Sequence, residues 1–280
     1  MKDHRILSVQ DISCVGQCSL TVALPIISAC GIETAILPAA VLSTHTGGFQ
    51  GFTFRDLTDD IDPIVSHWEK EGIQFDAFYT GYLGSKRQIA LVRDIFRRVA
   101  APGAIKVVDP AMADNGVLYA GFDADFAHTM AMLCADADVV LPNITEACMI
   151  LDEPYVASGY DEAYIRRLMD KLLALGAGCV VLTGVSFELG KLGVAVLHRG
   201  EAKISYYFHE RLAKGSHGTG DVFASAFTGA LVRGRSALEA ATLAADFTLA
   251  AMRATQDDES HTYGVKFEKV LPLLVNELNK

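Results

Sequence analysis

Short apolar segments alternate with longer segments of helical periodicity along this chain, and that alternation limits the folds it can adopt. Six apolar runs, mostly bounded by glycine, proline or aspartate, have the length of strands buried on both faces: 6–9, 34–38, 77–80, 105–109, 139–141 and 179–183. Helical patterns lie between and after them: 20–30, 61–71, 86–99, 123–134, 145–151, 164–175, 221–231, 238–254 and 267–278. Repeated strand–helix units predict an α/β fold with a mainly parallel sheet and helices on both faces.

Two segments break this rhythm. Residues 41–54 are rich in threonine, glycine and aromatic side chains, and they are predicted to form a flap or a small strand pair. Residues 192–197 and 203–208 flank a turn at 199–201 and predict an antiparallel hairpin over about 192–208. Since no proline- or serine-rich linker, low-complexity tract or internal repeat interrupts the chain, we expect a single domain over residues 1–280.

The composition excludes several classes of partner. The chain has 24 basic and 34 acidic residues, a formal charge of -10, which argues against nucleic acid or an anionic membrane as the main partner. Its six cysteines are scattered without a C-x-x-C pair, as expected for buried thiols in a reducing compartment. No signal-peptide core is evident, and no apolar run approaches the ~20 residues of a membrane span. We therefore expect a cytoplasmic protein.

Polar, turn-forming residues follow most of the predicted strands. Ligands of parallel α/β sheets bind beyond the carboxyl ends of the strands, so these residues are candidates for a binding site. They are Gln10-Asp11, Gly81-Tyr82, Asp109-Pro110, Pro142-Asn143 and Thr183-Gly184.

The sharpest local signal is the segment Ser216-His217-Gly218-Thr219-Gly220-Asp221, which runs directly into a helix-forming stretch. Its two glycines allow a tight turn and leave backbone N–H groups uncovered at a helix N-terminus, where the helix dipole favours anions. The segment therefore predicts an anion hole. Asp221 falls in the first helical turn, where from the residues alone it could be a capping acid or a reactive carboxylate.

Together with the glycine-rich segment, four further motifs occur in an order that resembles the ribokinase-like superfamily, and its vitamin B6 (pyridoxal/pyridoxamine) kinase family in particular. They are Ser43-Thr44-His45-Thr46-Gly47, Gly81-Tyr82-Leu83-Gly84-Ser85, Asp109-Pro110-Ala111-Met112 and Pro142-Asn143-Ile144-Thr145-Glu146. The resemblance covers nearly the whole chain and implies a ribokinase-like three-layer α/β/α sandwich. It implies an ATP-dependent kinase acting on the 5′-hydroxymethyl group of pyridoxamine, pyridoxal or pyridoxine. No Walker A motif is present, which excludes a P-loop kinase.

The resemblance also assigns roles at the phosphate end. Asp221 would be the general base that accepts the proton of the substrate hydroxyl, while the amides of Gly218, Thr219 and Gly220 stabilise charge on the transferred group. Asp109, Asp114 and Glu146 would form the side that binds Mg²⁺, with the alternatives of a strand-ending turn for Asp109 and an ordinary first-turn acid for Glu146. The residues expected to contact ATP are Asn143, Glu146, Thr183, Gly184 and Thr219, although Thr183 could equally bond only to backbone.

At the substrate end, the resemblance assigns the first strand–helix loop, the flap and the residue after the third strand: Asp11, Ser43, His45, Thr46 and Tyr82. Tyr82 would stack on a flat heteroaromatic ring, or else be a core aromatic. This chain departs from the family at Asp11, where B6 kinases carry serine, and at Thr44, where they carry asparagine. A carboxylate at position 11 would favour a protonated pyridine nitrogen or an amine, or it could merely cap the helix near Ser19 or bond loop amides.

Three alternatives to a B6 kinase stay open. They are a hydroxymethylpyrimidine kinase of thiamine synthesis, a ribokinase-type sugar kinase, and a non-catalytic B6-binding homologue. Asp in the first loop occurs in hydroxymethylpyrimidine kinases, but these typically carry cysteine where this chain has Asp221. The resemblance further implies ATP and Mg²⁺, a possible monovalent cation, a B6 vitamer as the small-molecule partner, and a homodimer.

Overall fold

A computed structural model describes residues 3–213 and 215–280. The strands are β1 (Arg5–Ser13), β2 (Glu33–Leu42), β3 (Phe54–Asp56), β4 (Phe75–Thr80), β5 (Ala100–Val108), β6 (Ala113–Asp114), β7 (Val117–Leu118), β8 (Val139–Val140), β9 (Cys179–Val185), β10 (Lys191–His198) and β11 (Ser205–Glu210). The helices are α1 (Leu20–Ala29), α2 (Thr58–Lys70), α3 (Lys86–Arg98), α4 (Ala124–Ala135), α5 (Ile144–Leu151), α6 (Glu162–Leu175), α7 (Thr219–Val232), α8 (Ala237–Arg253) and α9 (Leu271–Leu278), with a 3₁₀ turn at Phe267–Lys269.

The central sheet has the order β11-β10-β9-β8-β5-β4-β1-β2-β3. The six strands from β9 to β2 in this order are parallel. At the edges, β3 pairs antiparallel with β2, β10 with β9, and β11 with β10. Each predicted strand is found, and the predicted 192–208 hairpin is β10–β11. The predicted small strand pair of the flap is formed by the ends of β2 and β3, with Leu42 opposite Phe54. The mainly parallel α/β fold is thus confirmed.

Two apolar layers cover the sheet, because strands buried on both faces must be packed on both sides. One face packs against α2 to α6 around residues such as Phe78, Val108 and Leu182. The other packs against α1, α7, α8 and α9 around Ile6, Ala77 and other residues. The result is a three-layer α/β/α sandwich. Across residues 3–213 and 215–280, none of the helices combines the length and apolarity that crossing a bilayer requires.

Two local features differ from the sequence-based expectation. The helix expected over 267–278 is divided, because a 3₁₀ turn ends at Lys269 before α9 begins at Leu271. A second hairpin, β6–β7, was not expected. Its turn is Asn115-Gly116, and both residues have the left-handed φ values (51° and 79°) that a tight two-residue hairpin requires.

A β-bulge marks the end of β1. The pairing of β1 with β2 shifts between Gln10 and Ile12, so that Gln10 lies opposite Pro38 and Ile12 opposite Val41. Bulges locally re-aim side chains and are frequent beside functional sites. Here the extra residue lies in β2, where Ala39 and Ala40 stand opposite Asp11, one of the candidate substrate-binding residues.

Candidate functional site

The N-termini of α1 and α7 meet beside the carboxyl end of β1. Asp221, in the first turn of α7, accepts a hydrogen bond from the backbone N–H of Ser19 at 2.9 Å. Ser19 precedes α1 and has a left-handed backbone (φ 56°), which is costly for a residue other than glycine. This strained residue was missed from the sequence because nothing in a helix-start signal reveals a long-range contact. Its backbone N–H, at the start of α1, points at the carboxylate of the candidate base Asp221.

The environment of Asp221 matches the requirements of a base working near neutral pH. Burial raises the pKa of its carboxyl to about 7, the Ser19 N–H opposes that rise, and the negative charge of Asp11 adds to it. A general base is most effective when its pKa lies near the working pH. Asp221 is therefore suited to accept a proton, a property that a merely capping acid does not need.

The glycine-rich turn preceding Asp221 forms an open cradle. Gly218 is left-handed (φ 74°), and a Cβ on it would lie 1.9 Å from the carbonyl oxygen of Gln17, so only glycine fits. A Cβ on Gly220 would meet nothing within 4 Å. Thr219 and Gly220 begin α7, and the first N–H groups of a helix have no intrahelical acceptor. The turn therefore presents free donors to an open space, as an anion-binding cradle must.

Asp11 lies next to this cradle and is almost fully buried, with 4% of its surface exposed. The Ser13 hydroxyl donates to its Oδ2 at 3.0 Å. Burial raises the pKa of Asp11, while hydrogen bonds from Ser19 and Ser13 oppose the rise. The charge of Asp11 in turn raises the pKa of Tyr82, after burial as the larger cause. Asp11 therefore lies close enough to Tyr82 and to Asp221 for its charge to raise the pKa of both.

Tyr82 belongs to an aromatic wall. Its ring centroid lies 5.5 Å from that of Phe122, which stacks on Phe126 at 3.9 Å. The ring is only partly buried, so one side stays available to a flat ligand. Sequence analysis did not identify Phe122, which stands just after the β6–β7 hairpin.

The flap residues have different roles from one another. Ser43 closes the base of the flap, because its hydroxyl accepts the Thr53 N–H at 2.8 Å. His45 is 5% exposed; its Nδ1 accepts the Gly47 N–H (3.1 Å), which leaves Nε2 to donate to the carbonyl of Tyr263 (3.2 Å). Both ring nitrogens are therefore engaged within the protein. A substrate-binding role for His45 would have to use its carbon edge, whereas Thr46 is exposed and free to contact a ligand.

His45 also holds the flap against its surroundings. A Cβ on Gly16 (φ 116°) would lie 2.0 Å from His45 Cδ2, so the imidazole occupies the space that a side chain at 16 would need. The His45 ring lies 5.7 Å from that of His217, which precedes Gly218 in the cradle. The flap is thereby packed beside the cradle.

The candidate metal side is a group of carboxylates beyond β5 and β8. Glu146 is buried, and its pKa is raised to about 7, chiefly by burial. Its Oε1 accepts the Met112 N–H (3.2 Å) and its Oε2 the Asn143 N–H (2.8 Å), while the Asn143 side chain accepts the Glu146 N–H in return. This reciprocal capping box gives Asn143 and Glu146 a structural role at the start of α5.

Asp109 is the carboxylate of this group best suited to a cation. Burial raises its pKa well above the usual value, and the charges of Glu146 and Asp221 add to the rise. Asp114 is exposed on the β6–β7 hairpin, and its oxygens accept N–H groups of Asn115. Within the described part of the chain, no group of three or more His, Cys, Asp or Glu forms a metal cage. Mg²⁺ needs no such cage, since one or two carboxylates plus phosphate oxygens and waters suffice.

Thr183 and Gly184 lie near the carboxyl end of β9, beside this group. The Thr183 hydroxyl donates to the carbonyl of Pro142 at 3.4 Å, so its bond to backbone, one of the two expected roles, is present. Gly184 has a left-handed φ of 76°, and a Cβ there would meet nothing within 4 Å. An open, flexible backbone at a strand end leaves room for a ligand, but the protein contacts alone assign none.

Comparison with known proteins shows which families the chain resembles. A family model described as phosphomethylpyrimidine kinase matches residues 33–266. The chain is similar to a Bacteroides thetaiotaomicron protein described as a phosphomethylpyrimidine kinase and solved with pyridoxal (40% identity, 98% and 96% of the two chains, TM-score 0.92). It is also similar to pyridoxal kinase from Lactobacillus plantarum (30%, 98% and 97%, TM-score 0.90). Among curated relatives are a Bordetella bronchiseptica pyridoxine/pyridoxal/pyridoxamine kinase (26%, 90% and 89%) and thiamine biosynthesis bifunctional proteins, less than half of whose length is matched.

The two cradle glycines should respond differently to alanine. Gly218→Ala forces a left-handed alanine against the Gln17 carbonyl, and we expect it to lower the free energy of unfolding by at least about 1–2 kcal/mol. Gly220→Ala enters open space at a helical position, so the unfolding midpoint should hold or rise while the binding of a non-hydrolysable ATP analogue weakens. Thermal unfolding and titration calorimetry with that analogue check both. Wild-type affinity for the analogue in Gly220→Ala would show that the cradle does not bind the γ-phosphate.

Removing the charge of Asp109 should stabilise the ligand-free protein at high pH. Its raised pKa means that stability is present at low pH and is lost as the carboxyl ionises on raising the pH. We expect Asp109→Asn to unfold about 2–4 °C above wild type at about pH 8, with the difference vanishing near pH 4. The exposed Asp170→Asn is the control. Equal midpoints of Asp109→Asn and wild type at every pH would contradict a destabilising buried charge.

Proposed function

The chain belongs to the phosphomethylpyrimidine kinase family of ribokinase-like kinases, and on that premise we propose that it uses ATP to phosphorylate the 5′-hydroxymethyl group of a vitamin B6 compound. Pyridoxamine, pyridoxal and pyridoxine are the proposed acceptors. The observation that carries the proposal is the Asp221 carboxyl, with a pKa of about 7, beside an open anion cradle. The similarity to a protein solved with pyridoxal supports the choice of acceptor.

In the proposed reaction, the acceptor ring lies against Tyr82 with its polar substituents near Asp11 and Thr46. Asp221 takes the proton of the hydroxymethyl group as its oxygen attacks the γ-phosphorus of ATP, and the bond to the β,γ-bridging oxygen breaks. The amides of Thr219 and Gly220 stabilise negative charge on the transferred group. Phosphoryl transfer depends mainly on positioning and charge compensation, and a base, an aromatic contact and backbone amides are groups of the types that provide both.

The carboxylate group beyond β5 fits Mg²⁺, because the oxygen donors of Asp109 and Glu146 are buried and none of the charges that act most strongly on them is cationic. Asp109 would hold the ion, and Glu146 would act through a water, since both of its oxygens accept backbone N–H groups. Bound there, Mg²⁺ would offset the charge of the nucleotide phosphates. Asp114 stands at the exposed rim. The monovalent cation, the homodimer and the cytoplasmic location stay predictions.

Hydroxymethylpyrimidine is the second candidate acceptor, because the matching family model carries that description and thiamine biosynthesis proteins are among the relatives. It is also a flat heteroaromatic ring with a hydroxymethyl group, so Tyr82 and Asp221 would serve it equally. Asp221 itself favours the B6 reading, since hydroxymethylpyrimidine kinases typically carry cysteine at this position.

Replacing the base tests the function directly. ADP release should be measured with each B6 vitamer and with hydroxymethylpyrimidine, for the wild type and for Asp221→Asn. We expect turnover with a vitamer, a kcat that rises through about pH 7 as Asp221 ionises, and a loss of ~10²–10⁴-fold in kcat in the variant. ADP affinity should be nearly unchanged.

Two outcomes would overturn parts of this proposal. A variant that retains more than about a third of wild-type kcat would remove Asp221 from the role of base, since loss of a general base typically costs far more. Turnover with hydroxymethylpyrimidine and none with any vitamer would move the protein to thiamine synthesis. Absence of turnover with all of them would favour the non-catalytic alternative.

Asp11 should set the preference among vitamers. A charge-assisted hydrogen bond contributes about 1.5–3 kcal/mol against about 0.5–1.5 for a neutral one, so the difference is on the order of 1 kcal/mol. Asp11→Ser should therefore reduce the ratio of kcat/KM for pyridoxamine over pyridoxal about fivefold. Steady-state kinetics with both vitamers measures the ratio.

The matched control for Asp11→Ser is Asp170→Ser, which removes an exposed carboxylate of α6 that pairs with Arg166. It should leave the vitamer ratio unchanged. If Asp11→Ser also leaves the ratio unchanged and lowers only the unfolding midpoint, Asp11 serves the loop through Ser13 and Ser19 and does not contact the substrate.

A further inference from the structure

A buried polar group lies on the sheet directly beneath the first turn of α7. On the sheet face covered by α1, α7 and α8, β1 and β4 begin with apolar residues such as Ile6 and Ala77. Toward their carboxyl ends, the same face carries Ser8 opposite Tyr79, followed by Gln10, and all three are fully buried. Polar side chains at such positions are costly unless they are hydrogen-bonded.

Tyr79 is one of two members of this group, with Gln10, whose burial is not fully offset by hydrogen bonds. Among the described residues, neither its hydroxyl nor Gln10 Oε1 has a hydrogen-bond partner. The hydroxyl lies beside the side chains of Ser225 and Gln10, but outside hydrogen-bond geometry to either. Phenylalanine would fill the same space without leaving a buried donor unpaired. The hydroxyl therefore calls for an explanation other than packing.

Ser225 connects this hydroxyl to the candidate base. Its Oγ donates to the backbone carbonyl of Asp221 at 2.5 Å, one turn earlier in α7. That bond uses the one proton of the serine hydroxyl and leaves its lone pairs able to accept from Tyr79. The carboxylates of Asp221 and Asp109 are the charges that act most strongly on the Tyr79 hydroxyl.

We propose that Tyr79 is a positioning residue for Asp221, acting through Ser225 on the first turn of α7. The chain of donors runs from the Tyr79 hydroxyl to Ser225 Oγ, and from the Ser225 hydroxyl to the Asp221 carbonyl. The structure does not show the first of these contacts as a hydrogen bond. On this proposal it forms when nucleotide and acceptor bind, since hydrogen bonds of catalytic sites commonly tighten at that step. The expected change in kcat rests on the proposed function, whereas the expected ordering of the first turn of α7 does not.

Tyr79→Phe tests this inference, because it keeps the ring and removes only the hydroxyl. We expect kcat to fall about tenfold with the KM of ATP and of the vitamer within about twofold, since the hydroxyl that is removed is fully buried and contacts neither substrate in the proposed reaction. The unfolding midpoint should not fall, because an unpaired buried donor is removed. Amide hydrogen exchange of residues 219–225 should be faster in the loaded variant than in the loaded wild type.

Tyr164→Phe is the matched control. Tyr164 is also buried, but its hydroxyl donates to the Pro154 carbonyl at 3.1 Å and accepts the Val156 N–H at 3.2 Å, on α6 in the opposite helical layer. Its loss should lower the unfolding midpoint and leave kcat unchanged. Ser225→Ala should reproduce the kinetic effect of Tyr79→Phe, and the double variant should be no slower than either single one, as for residues that act in one chain.

Several results would overturn the inference. The first is a Tyr79→Phe variant with wild-type kcat. The second is a double variant in which the losses of kcat from Tyr79→Phe and Ser225→Ala multiply. The third is amide exchange of residues 219–225 that is the same in Tyr79→Phe and in the wild type when ADP and Mg²⁺ are bound. The exchange measurement does not depend on the acceptor. The wild type could phosphorylate no vitamer while residues 219–225 still exchange faster in Tyr79→Phe than in the wild type. That result would remove the proposed function and keep the positioning role.

Discussion

Negative charges that cannot reach water are the constraint on which this end of the sheet depends. The pKa values of Asp11, Asp109, Glu146 and Asp221 are all raised, with burial as the largest cause in each case. Backbone N–H groups and serine hydroxyls stabilise the carboxylates but do not neutralise them. The site therefore gains from ligands that bring positive charge, and it can accept phosphates only at the cradle formed by the α7 N-terminus or with a cation between.

The sequence predicted the parts of this arrangement that have local causes. Continuous apolar runs of strand length, mostly bounded by glycine, proline or aspartate, favour strands covered on both faces, and they predicted the sheet and its two helical layers. Glycines 218 and 220 predicted the cradle, because the turn before α7 needs a left-handed φ at Gly218 and Gly220 leaves the space beside it open. The hairpin at Asn115-Gly116 had an equally local signal, since Asn-Gly favours a tight turn. It was overlooked because its strands have only two residues each.

The parts that escaped prediction depend on contacts between distant segments. No local pattern distinguishes the Ser19 N–H from that of any other helix start; its role exists only because Asp221 lies 2.9 Å away. The flap motif predicted where His45 lies, but not that Gly47 and Tyr263 would occupy both of its nitrogens. Tyr79 read as one more apolar strand residue. In each case the sequence gives the type of residue but not the distant residue that it contacts.

The packing of His45 against Gly16 has a consequence for the history of this fold. Because the imidazole fills the volume that any side chain at position 16 would need, the two positions cannot drift independently. A side chain at 16 requires a smaller residue at 45, and it also requires a different backbone there, because the φ of 116° at position 16 favours glycine whatever the space. In an alignment of relatives, position 16 should therefore be glycine wherever position 45 is histidine, and any other residue at 16 should occur together with a smaller residue at 45.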